Sequence, residues 1–407
     1  MEQIKQHPYV SIALISALFI GGIFFIQNNA NDVGGDISKT EEAGLDSKEE
    51  NSDAIASLEK NTANPKTNET KVSFAPSVAS APTPLTGKPA PEFQLPSGFS
   101  NTEAFKLQDI VGKRVIILSF QNYTTQNSFR SERYLNLWHE KYKNKGLSVI
   151  TVHTPRFTFD RSKSVVDQAA FAHQIYHPIV LDNEFATAKA WGVGEWPTMF
   201  LVDINGRIAS SYKGEGNYQS IEAKIQQLLT ARETKLKLPA GFNALPIETP
   251  SGVESIDFAK VKSPETFFGY ARNAFLGNGT KSLPGMQDLK PVTAIVQNTL
   301  YLTGSWEFTS DYAKSSIEQN KIIYRYNAKN VYAVFGSLKM NKVFITLDGE
   351  ALGVRGGKDV REEKGRSYIF VSEERIYDIV KGDAYGEHTL EMVAETSGLE
   401  AYVLQFS

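Results

Sequence analysis

Two histidines stand at a spacing that can bind a metal ion. His173 and His177 are four residues apart, so both would lie on one face of a helix, and imidazole pairs of this kind ligate zinc. However, Pro178 follows at once, and we expect the helix to end before His177. No third ligand is evident nearby in the sequence. We therefore predict neither a metal site nor a cofactor.

Cysteine does not occur anywhere in the chain of 407 residues. Its absence excludes structural disulfides, thiolate metal sites and catalysis by a cysteine nucleophile. In an oxidising compartment, a chain without cysteine also avoids incorrect disulfide pairing. A low cysteine content is equally typical of bacterial envelope proteins as a class, but the chemical exclusion holds under both interpretations.

The charges of the chain are nearly balanced. Its 43 Lys and Arg residues stand against 46 Asp and Glu residues, which gives a net charge of −3. No basic cluster is interleaved with aromatic residues, so we predict no binding of nucleic acid. A chain of this length that is 41% hydrophobic can form two ordinary globular domains and still leave some unstructured chain.

An almost wholly apolar segment runs from Tyr9 to Ile26. As a helix it would span roughly 27 Å, at about 1.5 Å per residue, which is close to the hydrocarbon thickness of a membrane. Lys5 precedes the segment, and no Lys or Arg follows it before Lys39. The positive-inside rule then places residues 1–8 in the cytoplasm and everything after Gln27 outside.

A cleaved signal peptide is the alternative interpretation of this segment. Signal peptides have an apolar core of about 7–15 residues that ends in a site of small residues. Here the core is longer, and Asn28-Asn29-Ala30 matches such a site poorly. We therefore expect an uncleaved, single-pass anchor at residues 9–27 in the inner or plasma membrane, with the following domains periplasmic or extracellular.

Residues 28–86 have the composition of a solvated linker. They are rich in Asp, Glu, Lys, Ser, Asn, Thr and Ala, and they contain one aromatic residue, Phe74. Such a segment cannot bury enough apolar surface to offset the entropy of ordering it. We expect it to be disordered and to hold the folded part at some distance from the membrane.

Residues 87–232 alternate between strand and helix patterns. Apolar runs without alternation predict strands that are buried on both faces of a sheet, at residues 114–120, 147–152, 178–182 and 196–203. Helical spacing predicts helices at residues 130–143, 165–175, 185–191 and 221–229. Asn205-Gly206 predicts a hairpin turn into a last strand at residues 207–212. This order predicts an α/β domain whose central sheet is covered by helices on both faces.

The order of these elements matches the thioredoxin fold. The amino-acid sequence itself resembles the soluble part of DipZ-type thioredoxin proteins, which are relatives of the membrane-tethered TlpA group. The segments that carry the resemblance lie in the right order over residues 88–232: Ala90-Pro91-Glu92-Phe93, Tyr134-Leu135-Asn136-Leu137-Trp138, Val152-His153-Thr154-Pro155, Pro178-Ile179-Val180-Leu181-Asp182-Asn183, Trp196-Pro197 and Gly214-Glu215-Gly216. Because His153 stands in one of them, we expect its role to be structural.

In that family, the strand that ends here at Phe120 leads into a C-x-x-C pair at the start of the next helix, whose N-terminus lowers the pKa of the first thiol. Alignment without a gap places the two positions at Thr125 and Ser128. A hydroxyl needs an adjacent base to act as a nucleophile, and no histidine lies in this loop. We therefore predict no catalytic residue and expect Thr125 or Ser128 to cap the helix. Contact of the hydroxyls with a bound partner is the alternative.

Pro197 matches the cis-proline of the family, which faces the active-site loop. The resemblance implies that the backbone edge beside this proline pairs with an extended peptide, a function that needs no sulfur. Tyr123, Gln126, Asn127 and Trp196 would then lie around the groove. Our hypothesis is that these residues and Pro197 bind a peptide. Retention of Pro197 for folding alone is an equal alternative.

An interdomain connection rich in Pro and Gly follows at residues 233–252. From residue 253 to residue 407 the pattern changes to short β-rich runs separated by turns, at residues 321–326, 331–336, 342–347, 367–371, 375–380, 388–393 and 401–406. Many short strands without intervening helices predict an all-β sandwich.

DipZ-type proteins carry a similar domain after their thioredoxin domain, and three segments here resemble it: Ser263–Arg272, Gly304-Ser305-Trp306 and His388-Thr389-Leu390-Glu391. In the family this domain is a jelly-roll that resembles carbohydrate-binding modules, which stack exposed aromatic rings on sugars. Trp306 and Tyr301 are therefore candidate glycan-binding residues, although aromatic residues in strands more often belong to a core. Tyr368 and Tyr377 are further candidates.

The leading hypothesis is thus a membrane-anchored extracytoplasmic binding or scaffold protein with a redox-inactive thioredoxin-like domain. Its partners would be peptides, envelope proteins or cell-wall glycan. A single anchor stands where full DipZ proteins have a multi-span electron-carrying domain, so we expect no electron supply. One alternative is a thiol-disulfide or peroxidase-type enzyme, which the fold alone suggests and the lack of cysteine opposes. The other alternative is a purely structural envelope protein.

Overall fold

The computed structural model describes residues 85–238 and 242–407. The predicted anchor at residues 9–27 and the predicted linker up to residue 84 lie outside the described residues. Among the residues that are described, no helix combines the length and the apolar character needed to cross a membrane. All described residues belong to a single compact unit.

The first domain is built on a six-stranded sheet. Its strands are β1 (Gly98–Ser100), β2 (Val115–Gln121), β3 (Leu147–His153), β4 (Ile179–Leu181), β5 (Thr198–Val202) and β6 (Ile208–Lys213). They lie in the order β1-β4-β3-β2-β5-β6. Strands β2, β3 and β4 are parallel, whereas β1, β5 and β6 run antiparallel to their neighbours. The predicted thioredoxin-like fold is confirmed.

Strand β2 shows why its sequence lacks the alternation of a half-exposed strand. Its residues are buried throughout. Ile116, Leu118 and Phe120 pack into one hydrophobic cluster, whereas Val115 and Ile117 pack into a second cluster on the opposite face. Both faces are therefore covered, as the continuous apolar run predicts.

Four helices cover the sheet: α1 (Gln126–Tyr142), α2 (Lys163–Ala172), α3 (Ala186–Ala190) and α4 (Tyr218–Leu236). The helix predicted at residues 130–143 begins earlier, at Gln126. Its first turn is polar and shows no apolar period, although Asn127 and Ser128 are buried there. After a short turn, Gly146 ends this segment in the left-handed conformation, with φ of 98°.

The described residues from 242 to 407 form ten strands and no α-helix. These strands are β7 (Thr266–Phe267), β8 (Gly285–Leu289), β9 (Leu300–Phe308), β10 (Ala313–Ser315), β11 (Lys321–Gly336), β12 (Asn341–Leu347), β13 (Arg361–Glu363), β14 (Arg366–Val371), β15 (Arg375–Ala394) and β16 (Glu400–Phe406). The prediction of an all-β domain is confirmed.

Long, bent strands connect this domain into one antiparallel sheet of ten strands. The first part of β11 pairs with β9, and its last part pairs with β16. Register shifts in its pairing with β15 fall between Ala328 and Asn330 and between Val331 and Tyr332. Irregularities of this kind bend a strand. The bent strand β11 pairs with strands that a sandwich would divide between two separate sheets.

The two domains share a hydrophobic cluster. From the first domain it contains Phe129 of α1 and Phe157, and from the second it contains Tyr332, Ile376 and Tyr402. The ring of Tyr402 lies 5.0 Å from the ring of Phe157 and meets it edge to face. Because edge-to-face aromatic packing and apolar burial both stabilise a contact, the second domain is firmly docked on the first.

A buried ion pair strengthens the same interface. Nη2 of Arg156 in the first domain lies 2.6 Å from Oε2 of Glu265 in the second. Thr158 donates hydrogen bonds from its backbone N–H and its hydroxyl to the carboxylate of Asp311, at 2.8 and 2.7 Å. This interface lies beside the loop that connects β2 to α1. The second domain therefore limits which molecules can contact that loop.

Candidate functional site

Asn122 organises the loop between β2 and α1. Its side-chain Oδ1 accepts hydrogen bonds from the backbone N–H of Thr124 at 2.9 Å and from the hydroxyls of Thr124 and Thr125 at 2.5 and 3.1 Å. Its Nδ2 donates to the carbonyl of Thr154 at 2.7 Å. Asparagine at the end of a strand commonly forms such local turns. The loop is thus fixed by its own hydrogen bonds.

The two positions that match the family's cysteines hold hydroxyls that are already engaged. Thr125 donates to Asn122, and the hydroxyl of Ser128 accepts a hydrogen bond from the backbone N–H of Asn122 at 3.1 Å. Both residues are buried, at 2% and 0% exposure. Neither hydroxyl contacts a base that would ionise it, so the arrangement offers no nucleophile.

The expectation that Thr125 or Ser128 caps α1 is wrong. Thr125 occupies the N-cap position without making a side-chain cap hydrogen bond, because Asn122 engages its hydroxyl. The cap comes from Gln405 in β16, whose Oε1 accepts from the N–H of Gln126 at 3.0 Å. Its Nε2 donates to the carbonyl of Thr124 at 2.6 Å. The second domain therefore supplies the group that closes the helix N-terminus.

The residues expected to form a peptide groove are largely interior. The bond between Trp196 and Pro197 is cis, as the resemblance implies. However, the side chains of Trp196, Tyr123 and Asn127 are only 1%, 5% and 5% exposed, and of the five expected groove residues only Gln126 is partly accessible. Trp196 packs within the core of the first domain, next to Phe185. The structure brings these residues near the loop without leaving an open groove.

Below the loop lies a buried polar network. Oε1 of Glu132 accepts hydrogen bonds from the hydroxyl of Tyr123 at 3.1 Å and from the hydroxyl of Thr151 at 2.9 Å. Nε2 of His177 lies 3.3 Å from the other carboxylate oxygen. Burial, and then the charge of Glu132, raise the pKa of Tyr123 well above its usual value, so the phenol stays protonated.

A second buried charged pair flanks α1. Nε of Arg130 donates to both carboxylate oxygens of Glu215, at 2.8 and 3.0 Å, and its Nη2 donates to Oδ1 of Asn127. Asn127 is thus held by Arg130 and is not available as a free binding group. Buried charges are tolerated in this way when they are paired and hydrogen-bonded.

His153 is buried and uncharged, as its expected structural role requires. Its Nε2 lies 3.0 Å from the backbone carbonyl of Asp160, and a carbonyl can only accept, so Nε2 carries the proton. Burial lowers the pKa of His153 to about 4. The carboxyl of Asp160 accepts from the N–H groups of Arg156 and Phe157 at 2.9 and 3.1 Å, and burial raises its pKa to about 6.

The histidines with zinc spacing do not share a site. Helix α2 ends at Ala172, so His177 lies beyond the helix, as Pro178 predicts. His177 is directed to Thr151 and Glu132, whereas the ring of His173 stacks on Phe129 at 3.6 Å. Within residues 85–238 and 242–407, no group of three His, Asp or Glu side chains is placed to hold a metal ion.

The candidate glycan residues are buried, which corrects the expectation of exposed stacking platforms. Trp306 is fully buried, and its indole N–H donates to the carbonyl of Thr303 at 3.0 Å. Tyr301, Tyr368 and Tyr377 are 6%, 9% and 1% exposed. Trp306 and Tyr377 belong to the hydrophobic core of the β domain, and none of the four buried rings offers a free face to a pyranose.

Two adjoining cavities lie between the domains, beside the loop. The first, here called the apolar chamber, has a volume of about 380 Å³, and its walls include Phe129, Val166, Ala169 and Ile376. The second, here called the charged chamber, has a volume of about 750 Å³, and its walls include Arg130, Arg133, Lys381 and Asp378. Both volumes fall in the range of small-molecule sites.

Several of these functional residues could not be identified from a sequence pattern. Asn122 does carry a local signal, since an asparagine at a strand end followed by two threonines is typical of a turn. Gln405 carries none, because 279 residues separate it from Gln126. The cavities depend on the docking of the two domains. No local sequence pattern predicts that docking.

Three family profiles match the chain. Residues 86–211 match the AhpC/TSA family, and residues 263–407 match the thioredoxin-like C-terminal domain. Residues 1–30 match the fungal mitochondrial import receptor subunit Tom6, in a part of the chain outside the described residues. The first two matches coincide with the two folded domains.

Curated relatives match both domains together. Protein DipZ of Mycobacterium tuberculosis is 28% identical over 317 residues, which are 77% of this chain and 42% of DipZ. The chain is thus similar to DipZ over both of its folded domains. It spans less than half of the length of the DipZ proteins that it matches, and it lacks every cysteine.

Other relatives match the first domain alone. The thiol-disulfide oxidoreductase ResA of Bacillus cereus is 25% identical over 142 residues, which are 35% of this chain and 78% of ResA. Among solved structures, a thiol-disulfide isomerase from Corynebacterium glutamicum aligns with 17% identity and a TM-score of 0.32, and it covers 35% of this chain and 97% of its own.

Proposed function

We propose that this DipZ-type chain is a membrane-tethered, extracytoplasmic binding protein that performs no thiol chemistry. One observation carries the proposal. At the loop where the family has its cysteine pair, Thr125 and Ser128 are engaged by Asn122, and Gln405 of the second domain closes the helix N-terminus. A reactive loop must be reachable by substrate, whereas this loop supports an internal contact.

The binding role is supported by how the two domains meet. The second domain contacts the loop that matches the family's active-site loop, and the docking leaves the two chambers between the domains. Cavities that converge on the former active site and are lined by both domains are the usual form of a ligand site. We propose that ligand is held there and that the N-terminal segment keeps the folded part near the membrane.

Insulin reduction by the full chain tests the absence of thiol chemistry. We expect no turnover above a buffer blank with dithiothreitol as the electron source. The matched control is the double variant Thr125→Cys and Ser128→Cys, which restores the sulfur atoms at the two positions. Turnover by the unaltered chain would contradict the proposal.

Access to the loop is tested with the same double variant. We expect its introduced thiols to react slowly with a thiol reagent under native conditions and rapidly in urea, because positions 125 and 128 are buried. Equal rates in both conditions would show that the second domain does not cover the loop. Peptide and glycan arrays probed with the full chain then separate a binding protein from a purely structural one, which would retain neither class.

A further inference from the structure

The two chambers are contiguous. They share five lining residues: Phe129, Ala172, His173, Lys358 and Ile376. The stacked rings of Phe129 and His173 therefore line both chambers, and so does Lys358 of the second domain.

The apolar chamber has apolar lining residues that suit a compact apolar group, beside charged ones that include Asp160, Asp359, Glu374 and Arg375. Phe129, Val166 and Ile376 are at most 7% exposed and present carbon surface, and Ala169 of α2 leaves the space that a larger side chain would fill. Pockets of this kind bind ligands by burying ring or chain carbon. The volume of about 380 Å³ limits the occupant to the size of a bicyclic ring or a short acyl chain.

Within the described part of the chain, the charged chamber is lined by three cations without an ion pair, against the carboxyls of Glu132 and Asp378. Among the residues that the structure describes, Arg133, Lys358 and Lys381 form no ion pair, whereas the lining residue Glu254 is paired with Lys329 at 2.7 Å. Glu132 is likewise engaged by the hydroxyls of Tyr123 and Thr151.

The remaining carboxyl of the charged chamber, Asp378, opposes these cations. Burial raises the pKa of Asp378 to about 6, although Lys358 acts against that shift. An anion that enters the chamber would therefore meet three cations without an ion pair to another described residue, against two carboxyls, of which Glu132 is held by internal hydrogen bonds.

The wall that both chambers share lies close to the same cations. Burial, and after it the charges of Lys358, Arg133 and Arg375, lower the pKa of His173 to about 4. Cations from both domains thus converge on the ring that separates the chambers. Arg375 is itself paired with Asp359 and Glu373 at 3.0 and 2.9 Å, which leaves Lys358 and Arg133 as the cations available to a ligand.

We infer that the interdomain cleft binds a compact amphiphilic anion, with its apolar body in the apolar chamber and its anionic group beside Lys358 and Arg133. This inference rests on the proposed binding function and gives it a ligand class. An anionic group gains charge-assisted hydrogen bonds from these cations, and the apolar body gains burial against Phe129 and Ile376.

Calorimetric titration with a matched pair of probes tests the inference. The full chain in lipid nanodiscs is titrated with 2-naphthoate and with the neutral 2-naphthamide, and empty nanodiscs give the blank. We expect one saturable site that binds the carboxylate about tenfold more tightly than the amide, since the two probes differ mainly in charge. Equal affinities for the two probes, or the absence of saturable binding, would overturn the inference.

Two variants localise the site. Lys358→Gln is expected to bring the affinities of the two probes within about threefold of each other by removing the nearest cation, whereas Lys339→Gln, at an exposed lysine outside both chambers, leaves the difference intact. Ala169→Phe is expected to abolish binding of both probes by filling the apolar chamber. Ser164→Phe adds the same bulk at an exposed position of α2 and leaves binding unchanged.

The outcomes remain separable from those of the proposed function. If Lys358→Gln and Ala169→Phe both bind like the unaltered chain, the cleft is not the site and the inference is wrong, whatever the thiol assay shows. If the unaltered chain reduces insulin, the proposed function fails even where naphthoate binds in the cleft.

Discussion

The side-chain oxygen of Gln405 accepts a hydrogen bond from the backbone N–H of Gln126 at 3.0 Å, across 279 residues of sequence. Its amide nitrogen donates to the carbonyl of Thr124 at the same time. One side chain of the second domain thus satisfies a donor and an acceptor at the start of α1. The start of α1 is where the resemblance places the cysteine pair of the family, and here it is part of an interface.

Replacement of this side chain should weaken the docked state. We expect Gln405→Ala to lower the free energy of unfolding by about 2 kcal/mol, because it leaves the buried carbonyl of Thr124 and the half-buried N–H of Gln126 without these partners. Urea unfolding followed by circular dichroism measures the change. The control is Gln227→Ala on the exposed face of α4, which should change stability by less than about 0.5 kcal/mol. A similar small loss for Gln405→Ala would contradict the role assigned to it.

The two positions that match the family's cysteines should contribute different amounts to the free energy of unfolding. Ser128→Ala leaves the buried N–H of Asn122 without an acceptor, and we expect a loss of about 1–3 kcal/mol. Thr125→Val removes one of several donors to Oδ1 of Asn122, so its cost should stay below about 1 kcal/mol. Chemical denaturation of both variants gives the comparison, and a larger loss for Thr125→Val would reverse the assignment.

The aromatic contact between the domains should be a major source of stability. Tyr402 meets Phe157 and Phe159 at centroid distances of 5.0 Å, and its ring is 3% exposed. We expect Tyr402→Ala to cost about 3–5 kcal/mol, in line with other truncations of large buried rings. Thermal and urea unfolding provide the measurement. Tyr176→Ala, which truncates a tyrosine that is 67% exposed, serves as the matched control and should have little effect.

Acid should destabilise the first domain through His153. The pKa of His153 is about 4 in the folded protein, whereas a histidine in the unfolded chain has a pKa of 6.5. As the pH falls, the unfolded chain therefore binds the proton first. The contribution to stability is complete above pH 6.5 and decreases as the pH falls towards 4, by about 3 kcal/mol in total. Unfolding measured from pH 7 to pH 4 should therefore show a shallower pH dependence for His153→Phe. An unchanged slope in that variant would contradict the prediction.

Asp160 provides a control, because its contribution to stability depends on pH in the opposite direction. Its pKa is raised from 3.8 to about 6, so the folded protein binds the proton first. This group adds stability at low pH that is lost as the pH rises through about 6. Asp160→Asn should therefore make the acid destabilisation between pH 6 and pH 4 steeper, whereas His153→Phe makes it shallower.

Features with a local signal could be predicted from the sequence. The apolar run of β2 gave a strand that is buried on both faces, and Trp196-Pro197 gave a cis bond through its match to the family. The start of α1 was missed because Gln126, Asn127 and Ser128 are polar, and their burial depends on a domain that is distant in sequence. Helical periodicity detects apolar faces, so a polar turn under a docked domain escapes it.

The aromatic residues of the second domain show a different limit. Trp306 and Tyr301 lie in β9, where a strand pattern indicates alternation but not which face is covered. Because β11 is long and bent, it pairs with β9 at one end and with β16 at the other, and both sides of the neighbouring strands become enclosed. Stacking rings for a sugar therefore could not be distinguished from core rings by sequence alone.

The hydrophobic cluster that both domains build has a consequence for modularity. Since Phe129 and Phe157 pack with Tyr332, Ile376 and Tyr402 in one interior, neither domain is an interchangeable part. A chimera that joins this thioredoxin-like domain to the C-terminal domain of a cysteine-containing relative would have to carry both halves of that interior together. Substitutions on the two sides are thus expected to be tolerated as pairs rather than singly.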